Sequence, residues 1–333
     1  MSDKNPEGIS EIVRFQDLSP LPYVNTCLTV GNFDGVHLGH QAIILRMIQE
    51  AQQDGIPLLV VTFYPNPSVY FKKRPINEYL STPGEKDMML RDLGADDVVT
   101  FKFDQEFANL RPEVFLTGLV ENLQMSVLVV GPDFAMGKAR QGSRSFLDEM
   151  VRDQKFSIKA VQPIVIKGLD VSSTRIRQFL DEGNVGCAAM LLGRYYTITG
   201  TVVHGSDRGS KIGLPTANIS YWHEKKRPAV GVYATHVTLD EVQYQAITNV
   251  GYRPTFETQT VPDIETHILG FDGNIYGESL TLAFVEKIRD EQKFENANAL
   301  LAQIEHDKKT AREIFIHAET PPYLSSKPQE SNS

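Results

Sequence analysis

The sequence predicts an α/β protein in two parts: a parallel sheet with helices on both faces, then a small antiparallel barrel with a closing helix. Three observations predict it. From Val24 to about Leu180, short apolar runs alternate with stretches whose apolar residues recur at helical spacing. A glycine-rich turn, Gly31-Asn32-Phe33-Asp34-Gly35-Val36-His37-Leu38-Gly39-His40, joins the first such pair. After Gly183-Asn184-Val185-Gly186 the helical period gives way to β-rich runs with glycine-rich connections.

In order, the first part reads as strand 26–30, helix 40–53, strand 57–63, helix 84–93, strand 97–101 and helix 112–123. It continues with strand 126–130, helix 143–153, strand 156–161 and helix 173–182. Strict alternation of this kind places helices on both faces of a parallel sheet. Ligands of such sheets bind beyond the carboxyl ends of the strands. The glycine turn after residue 30 and Gly131-Pro132-Asp133-Phe134 after residue 130 both start at such ends and can line one crevice. In the second part, a short helical stretch up to Gly193 precedes strands at 195–203, 230–239, 242–250, 265–271 and 279–285, and one amphipathic helix near 295–315.

Composition narrows the class. A chain of 333 residues is long for one core, so two domains are expected, at 1–185 and 186–320, with a mobile polar tail at 321–333. An apolar share of 41% and a charged share of 23% are those of a folded globular protein. A net charge of −9 argues against a nucleic-acid or anionic-membrane partner, so anionic ligands must be held locally. The chain has no apolar stretch of membrane-spanning length and a polar start, which predicts a cytoplasmic protein. Cys27 and Cys187 read as reduced packing residues. The sequence carries no signal for an oligomeric state.

The first turn has the chemistry of a phosphate site. Glycines at 31, 35 and 39 let the backbone approach a ligand, and the helix that follows offers N–H groups and the positive end of its dipole. His37 and His40 add donors that can follow charge onto a leaving phosphate. One histidine beside a glycine turn would suggest only a cap; two histidines with three glycines at a strand-to-helix junction suggest a site. Further on, Ser172-Ser173-Thr174-Arg175-Ile176-Arg177 opens a helix with hydroxyls and two guanidiniums. Hydroxyl caps are common there, but positive charge at that end opposes the dipole unless an anion is present.

These residues resemble a known family. The turn is similar to the HxGH nucleotidyltransferase signature, and its full form GNFDGVHLGH resembles that of bacterial FAD synthetases. The likeness extends through Phe63-Tyr64-Pro65-Asn66-Pro67, the Gly131 to Gly137 turn and the Ser173 helix. It implies a Rossmann-like domain that adenylylates FMN to FAD and releases pyrophosphate. By resemblance, Gly31, Asn32, Phe33, His37, Gly39, His40, Ser173, Thr174 and Arg175 would hold ATP, with His37, His40 and Arg175 catalytic. Asn32, Asn66 and Asp133 would lie toward FMN. The family often has His where Asn66 stands and Phe where Met136 stands.

A second site is expected in the barrel. Gly200 to Gly213 forms a glycine-spaced loop that runs into Leu214-Pro215-Thr216-Ala217-Asn218. Residues two apart on an extended segment share a side, so Thr216 and Asn218 can aim two hard oxygens at one Mg²⁺. Pro-Thr-Ala-Asn resembles riboflavin kinase, and the likeness runs over roughly 186–316 through Gly231-Val232-Tyr233-Ala234, Asn249 to Phe256 and Ile288-Arg289-Asp290-Glu291. It implies ATP at Gly205, Lys211, Gly213 and Thr216, metal at Thr216 and Asn218, flavin at Arg289, and Glu265 as the base that takes the proton of the riboflavin hydroxyl. Arg289 could equally form a salt bridge, and Gly270 stands where the family often has aspartate.

The expectation is therefore a bifunctional enzyme that makes FMN from riboflavin and ATP, and FAD from FMN and ATP, with Mg²⁺ in both steps. The rival readings are a kinase whose transferase half is inactive, motivated by Asn66 and Met136, and a flavin-binding sensor without turnover.

Overall fold

A computed structural model describes residues 12–131, 150–151, 156–205, 215–251 and 263–318. These fall into two compact units that divide between Ser172 and Ser173.

The first unit is a six-stranded sheet. Its strands are β1 (Ile12–Val13), β2 (Thr26–Val30), β3 (Leu58–Tyr64), β4 (Asp97–Lys102), β5 (Met125–Val130) and β6 (Ser157–Ala160), in spatial order β1-β4-β3-β2-β5-β6. Every neighbouring pair is parallel. Side chains alternate faces along a strand, and both faces here are apolar. Leu28, Val30, Leu59, Val61, Val99, Phe101, Leu128 and Val130 pack on one face with Phe115, Leu116 and Leu119 of the helix Pro112–Asn122. Cys27, Leu58, Val60, Val98, Val127 and Val129 pack on the other with Ile44 and Met47 of α1 (Leu38–Asp54) and Leu90 of the helix Pro83–Asp92. The sheet is thus wound on both sides, as the alternation predicts. Chain order reverses at β2, which has β3 on one side and β5 on the other, so the topological switch point lies past the carboxyl ends of β2 and β5.

The sequence reading missed several short elements: single-turn helices at Pro67–Tyr70 and Gln105–Ala108, and the hairpin of β7 (Val165–Ile166) and β8 (Leu169–Asp170). That hairpin turns through Lys167 and Gly168, both at positive φ.

The second unit begins with helices Ser173–Asp181 and Val185–Leu192. A closed antiparallel barrel follows: β9 (Tyr196–Val203), β10 (Ala217–Tyr221), β11 (Gly231–Leu239), β12 (Val242–Gly251), β13 (Asp263–Ile268) and β14 (Ser279–Arg289), ordered β10-β13-β12-β11-β14-β9. Tyr196, Tyr233 and Phe284 fill its interior, where the hydroxyls of Thr235, Thr248 and Thr266 form a chain with 2.7 Å steps. The two tyrosine hydroxyls donate to backbone carbonyls, Tyr196 to Lys226 and Tyr233 to Ala229, which makes their burial tolerable. Outside the barrel the helix Ala297–His317 lays Ala311, Ile314 and Phe315 over Val232, Ala234 and Ile247. Both cysteines are free thiols.

Candidate active sites

In the first unit the turn after β2 is tightly held. Gly31 N–H donates to Val61 O, Val36 N–H to Phe33 O, and the Gln41 side chain to Val36 O. Phe33 and Val36 are buried at φ of 47° and 38°, a left-handed conformation that disfavours bulky and β-branched side chains. Such strain persists only where surroundings enforce it, and it is a mark of ligand-binding turns. Asp34 supplies much of that enforcement. Its Oδ1 accepts from Leu80 N at 2.8 Å and Ser81 N at 3.3 Å, and its Oδ2 from Arg74 Nη1 at 2.9 Å. Ser81 Oγ in turn accepts from Gly35 N.

His37 caps α1: its Nδ1 accepts from His40 N at 3.3 Å. A neutral ring that accepts at Nδ1 carries its proton on Nε2, so the cap fixes the tautomer able to donate to an anion. The His37 and His40 rings stack with centroids 3.6 Å apart and an interplanar angle of 14°. Gly39 is small for a reason, since a Cβ there would press at 3.2 Å on the His37 ring. Gly31 and His40 are half-buried, Asn32 is exposed and His37 is buried.

Asn66 is buried and caps the single-turn helix; its Oδ1 accepts from Ser68 N and Ser68 Oγ, and its N–H donates to Tyr79 Oη. The Tyr64–Pro65 peptide before it is cis. Ser173, Thr174 and Arg175 open the first helix of the second unit, with Thr174 exposed and Arg175 Nη1 3.4 Å from Gln178 Oε1. Arg177 is buried. Asp133, Met136, Lys211 and Gly213 lie outside the described residues.

Sequence reasoning missed Lys86, on the helix Pro83–Asp92. Its Nζ donates to Thr62 Oγ1 at 2.8 Å, Asn32 O at 3.3 Å and Phe63 O at 3.4 Å. Burial lowers its pKa to about 8 against the opposing pull of Asp34 and Asp87. A signal was present: Lys86 falls on the same stripe as the buried Pro83 and Leu90, where a solvated lysine has no place.

In the second unit, strand register gathers the other set. Asn218 of β10 lies opposite Glu265 of β13, which lies opposite Asn249 of β12; Asn249 faces Val232 of β11, and Val232 faces Arg289 of β14. Directly opposed residues share a face, so this row puts Asn218, Glu265 and Arg289 on the outer side, beneath the last helix. A cleft of about 300 Å³ there is lined by Thr216, Asn249, Glu265, His267, Arg289 and Asp307 among others. A second cleft of about 310 Å³ is lined by Pro215, Thr216, Ala217, Thr266, Phe271 and Tyr276 among others. Thr216 borders both.

Asn218 is buried, and a Cβ on Gly205 would run into its side-chain amide. Gly205 is therefore pressed against the predicted metal ligand. His267 fixes the same segment through Nδ1 and Pro215 O at 2.8 Å, and burial lowers its pKa. Arg289 makes a two-pronged ion pair with Asp307, at 3.0 Å from Nε and 2.7 Å from Nη2, and its guanidinium lies 5.8 Å from the Phe294 ring centroid. The salt-bridge alternative for Arg289 is thus present, at the wall of the cleft.

Comparison with known proteins follows this division. The family model for FAD synthetase matches residues 22–175 and that for riboflavin kinase matches 192–315. The chain is 36% identical over 301 residues to the bifunctional riboflavin kinase/FMN adenylyltransferase of Escherichia coli K12, covering 90% of this chain and 96% of that one. The chain belongs to the bifunctional riboflavin kinase/FMN adenylyltransferase family.

The Bacillus subtilis member of that family is 35% identical over 291 residues, 86% of this chain and 92% of its own. Among solved structures, one described as a macrolide-efflux protein from Streptococcus pneumoniae superposes with a TM-score of 0.83 at 29% identity, covering 92% of this chain and 99% of that one. Among the described residues no helix is long and apolar enough to cross a membrane. The chain is thus an enzyme of the bifunctional family, with an FAD synthetase half before a riboflavin kinase half, as its two motifs predict.

Proposed function

We propose that the chain phosphorylates riboflavin in its second half and adenylylates the resulting FMN in its first, each at the residues assembled above. The observation that carries the reading is that the two phosphate-handling constellations lie in different compact units, His37 with its capped α1 in one and the Asn218–Glu265 row in the other. Functional halves at 1–185 and 186–320 accompany it. The helix Ser173–Asp181 would serve the first half while grouping with the second unit.

In adenylyl transfer, an FMN phosphate oxygen forms a bond to the α-phosphorus of ATP and the bond to the bridging oxygen breaks, releasing pyrophosphate. The second pKa of a phosphomonoester is about 6, so the nucleophile is already ionised near neutral pH and needs no strong base. The site instead aligns the reactants and stabilises charge. His37 Nε2–H, His40, the backbone of Gly31 to Gly39 and the start of α1 face the triphosphate; Ser173, Thr174 and Arg175 neutralise its far end; Asn32, Asn66 and Asp133 orient FMN.

In the kinase, the two clefts that meet at Thr216 suit two substrates whose reacting ends meet there. Flavin lies in the cleft with Glu265 and Arg289, and ATP follows Gly205, Lys211, Gly213 and Thr216. Glu265 takes the hydroxyl proton as the oxygen attacks the γ-phosphorus and ADP leaves. Thr216 and Asn218 offer hard oxygen donors and would hold Mg²⁺. Bound there, the ion would supply positive charge against that of the transferring phosphoryl group. Packing against Gly205 would hold Asn218 in place for it.

The acidic charge balance and small-molecule clefts support a cytoplasmic enzyme that works without nucleic acid or membrane. The test is a paired assay: FMN formation from riboflavin, and FAD formation from supplied FMN, in H37A and E265Q. Loss of one activity in each supports the assignment, and loss of both in either folded variant refutes it.

A further inference from the structure

We propose that Lys86 is a positioning residue of the adenylyl-transfer site, a buried cation that ties the ends of two strands together and places fixed positive charge behind the phosphate-binding turn. The inference rests on the transferase reading of that turn.

The geometry comes first. Lys86 Nζ holds three acceptors, Asn32 O in the turn after β2, and Thr62 Oγ1 and Phe63 O in β3. Those two segments carry Asn32 and Asn66, so one ammonium sets their separation. An ammonium has three protons to donate and here meets three acceptors, which compensates the cost of burying it.

Charge comes second. The turn presents one carboxylate to Lys86, that of Asp34, and Asp34 already holds Arg74 at 2.9 Å. β3 presents a hydroxyl and a carbonyl, and the lysine's own helix presents Asp87. Asp87 is paired with Arg91 at 2.9 Å, so Lys86, Asp34 and Arg74 together leave one positive charge beneath a turn built for anions. Burial weakens screening, so this charge acts at longer range than a surface lysine would. A purely structural lysine would leave the rate of FAD formation unchanged on losing its proton, whereas one whose charge serves the reaction would not.

The experiment uses the full chain. First, kcat/KM for FAD formation is followed from pH 7 to 9.5, since this quantity reports groups of the free enzyme. It should fall as pH rises through about 8, where Lys86 loses its proton; a profile flat to pH 9.5 overturns the proposal. Second, in K86M, FAD formation should drop by about tenfold or more, FMN formation should not change, and the alkaline fall should disappear. K86R should recover part of the rate and move the fall to higher pH. FAD formation within twofold of wild type in K86M, or an unchanged alkaline fall, overturns the proposal whether or not K86R folds. H37A separates the two levels: if it leaves FAD formation intact, the transferase reading fails, whereas loss in H37A with none in K86M removes only the role of Lys86.

Discussion

Asn218 and Glu265 stand directly opposite one another on β10 and β13, so the amide expected at the metal and the carboxylate expected to act as base share one face of the barrel. Strand pairing joins them across a sequence gap that no local pattern bridges. Glu265→Gln keeps the shape and removes the proton acceptor. FMN formation should fall by roughly 10²- to 10⁴-fold, the usual worth of a general base, while FAD formation from supplied FMN is unchanged. Separate assays of the two products check this.

His37→Ala removes both the cap on α1 and the Nε2 donor. FAD formation should fall by about 10²- to 10³-fold, as for loss of one charge-stabilising donor, with FMN formation intact. The loss of the cap should also cost roughly 1 kcal/mol of stability, measurable by urea denaturation.

Gly205→Ala should disable the kinase alone. The added Cβ collides with the Asn218 amide, which sits on a paired strand and cannot retreat far. Kinase KM for ATP should rise, while the FAD-forming half keeps its wild-type rate.

Much of this was legible because it is periodic. The strands and described helices of the first unit and five of the six barrel strands have lengths that a hydrophobic period can reveal; β10, Ala217–Tyr221, was missed, and most of the helix expected at 143–153 lies outside the described residues. Residues 12–13, 67–70, 105–108 and 165–170 form elements of two to four residues, too short to show a period. The glycine-histidine turn and Pro-Thr-Ala-Asn were legible because their chemistry is local. Asp34 and Asp307 were not, and Lys86 showed only as a lysine out of place on an apolar stripe, since each acts through a distant partner: Asp34 on Arg74, Leu80 and Ser81, Lys86 on Asn32 and Thr62, Asp307 on Arg289. The strand expected at 265–271 runs over Asp263–Ile268 and turns at Gly270, whose φ is 71°. That glycine sits where a left-handed residue is needed, so the exchange of aspartate for glycine there relieves the backbone.

Asp307→Ala leaves the Arg289 guanidinium, 19% exposed, without the carboxylate that is itself 2% exposed. Removing one partner of such a pair should destabilise the second unit by about 3 kcal/mol, because the remaining charge is poorly solvated. A shift in its urea midpoint reads the loss, and a midpoint within error of wild type would contradict it.

Stability of the first unit should depend on pH through Lys86. Its folded pKa is about 8 against 10.5 for the free side chain. Between these values the unfolded chain binds a proton that the native state lacks, so this group raises stability as pH climbs from about 8. The urea midpoint difference between pH 7.5 and 9.5 should be more positive in wild type than in K86M, and equal differences would contradict the burial of a charged lysine.

The central claim is that one chain carries two separate transfer sites used in sequence. Its most direct test is a chromatographic time course with riboflavin, ATP and Mg²⁺. FMN should appear first and then convert to FAD with one pyrophosphate released per FAD; H37A should stop at FMN, and E265Q should make FAD only when FMN is supplied. Absence of both products from the folded wild-type chain, or loss of both activities in either folded variant, would contradict the account.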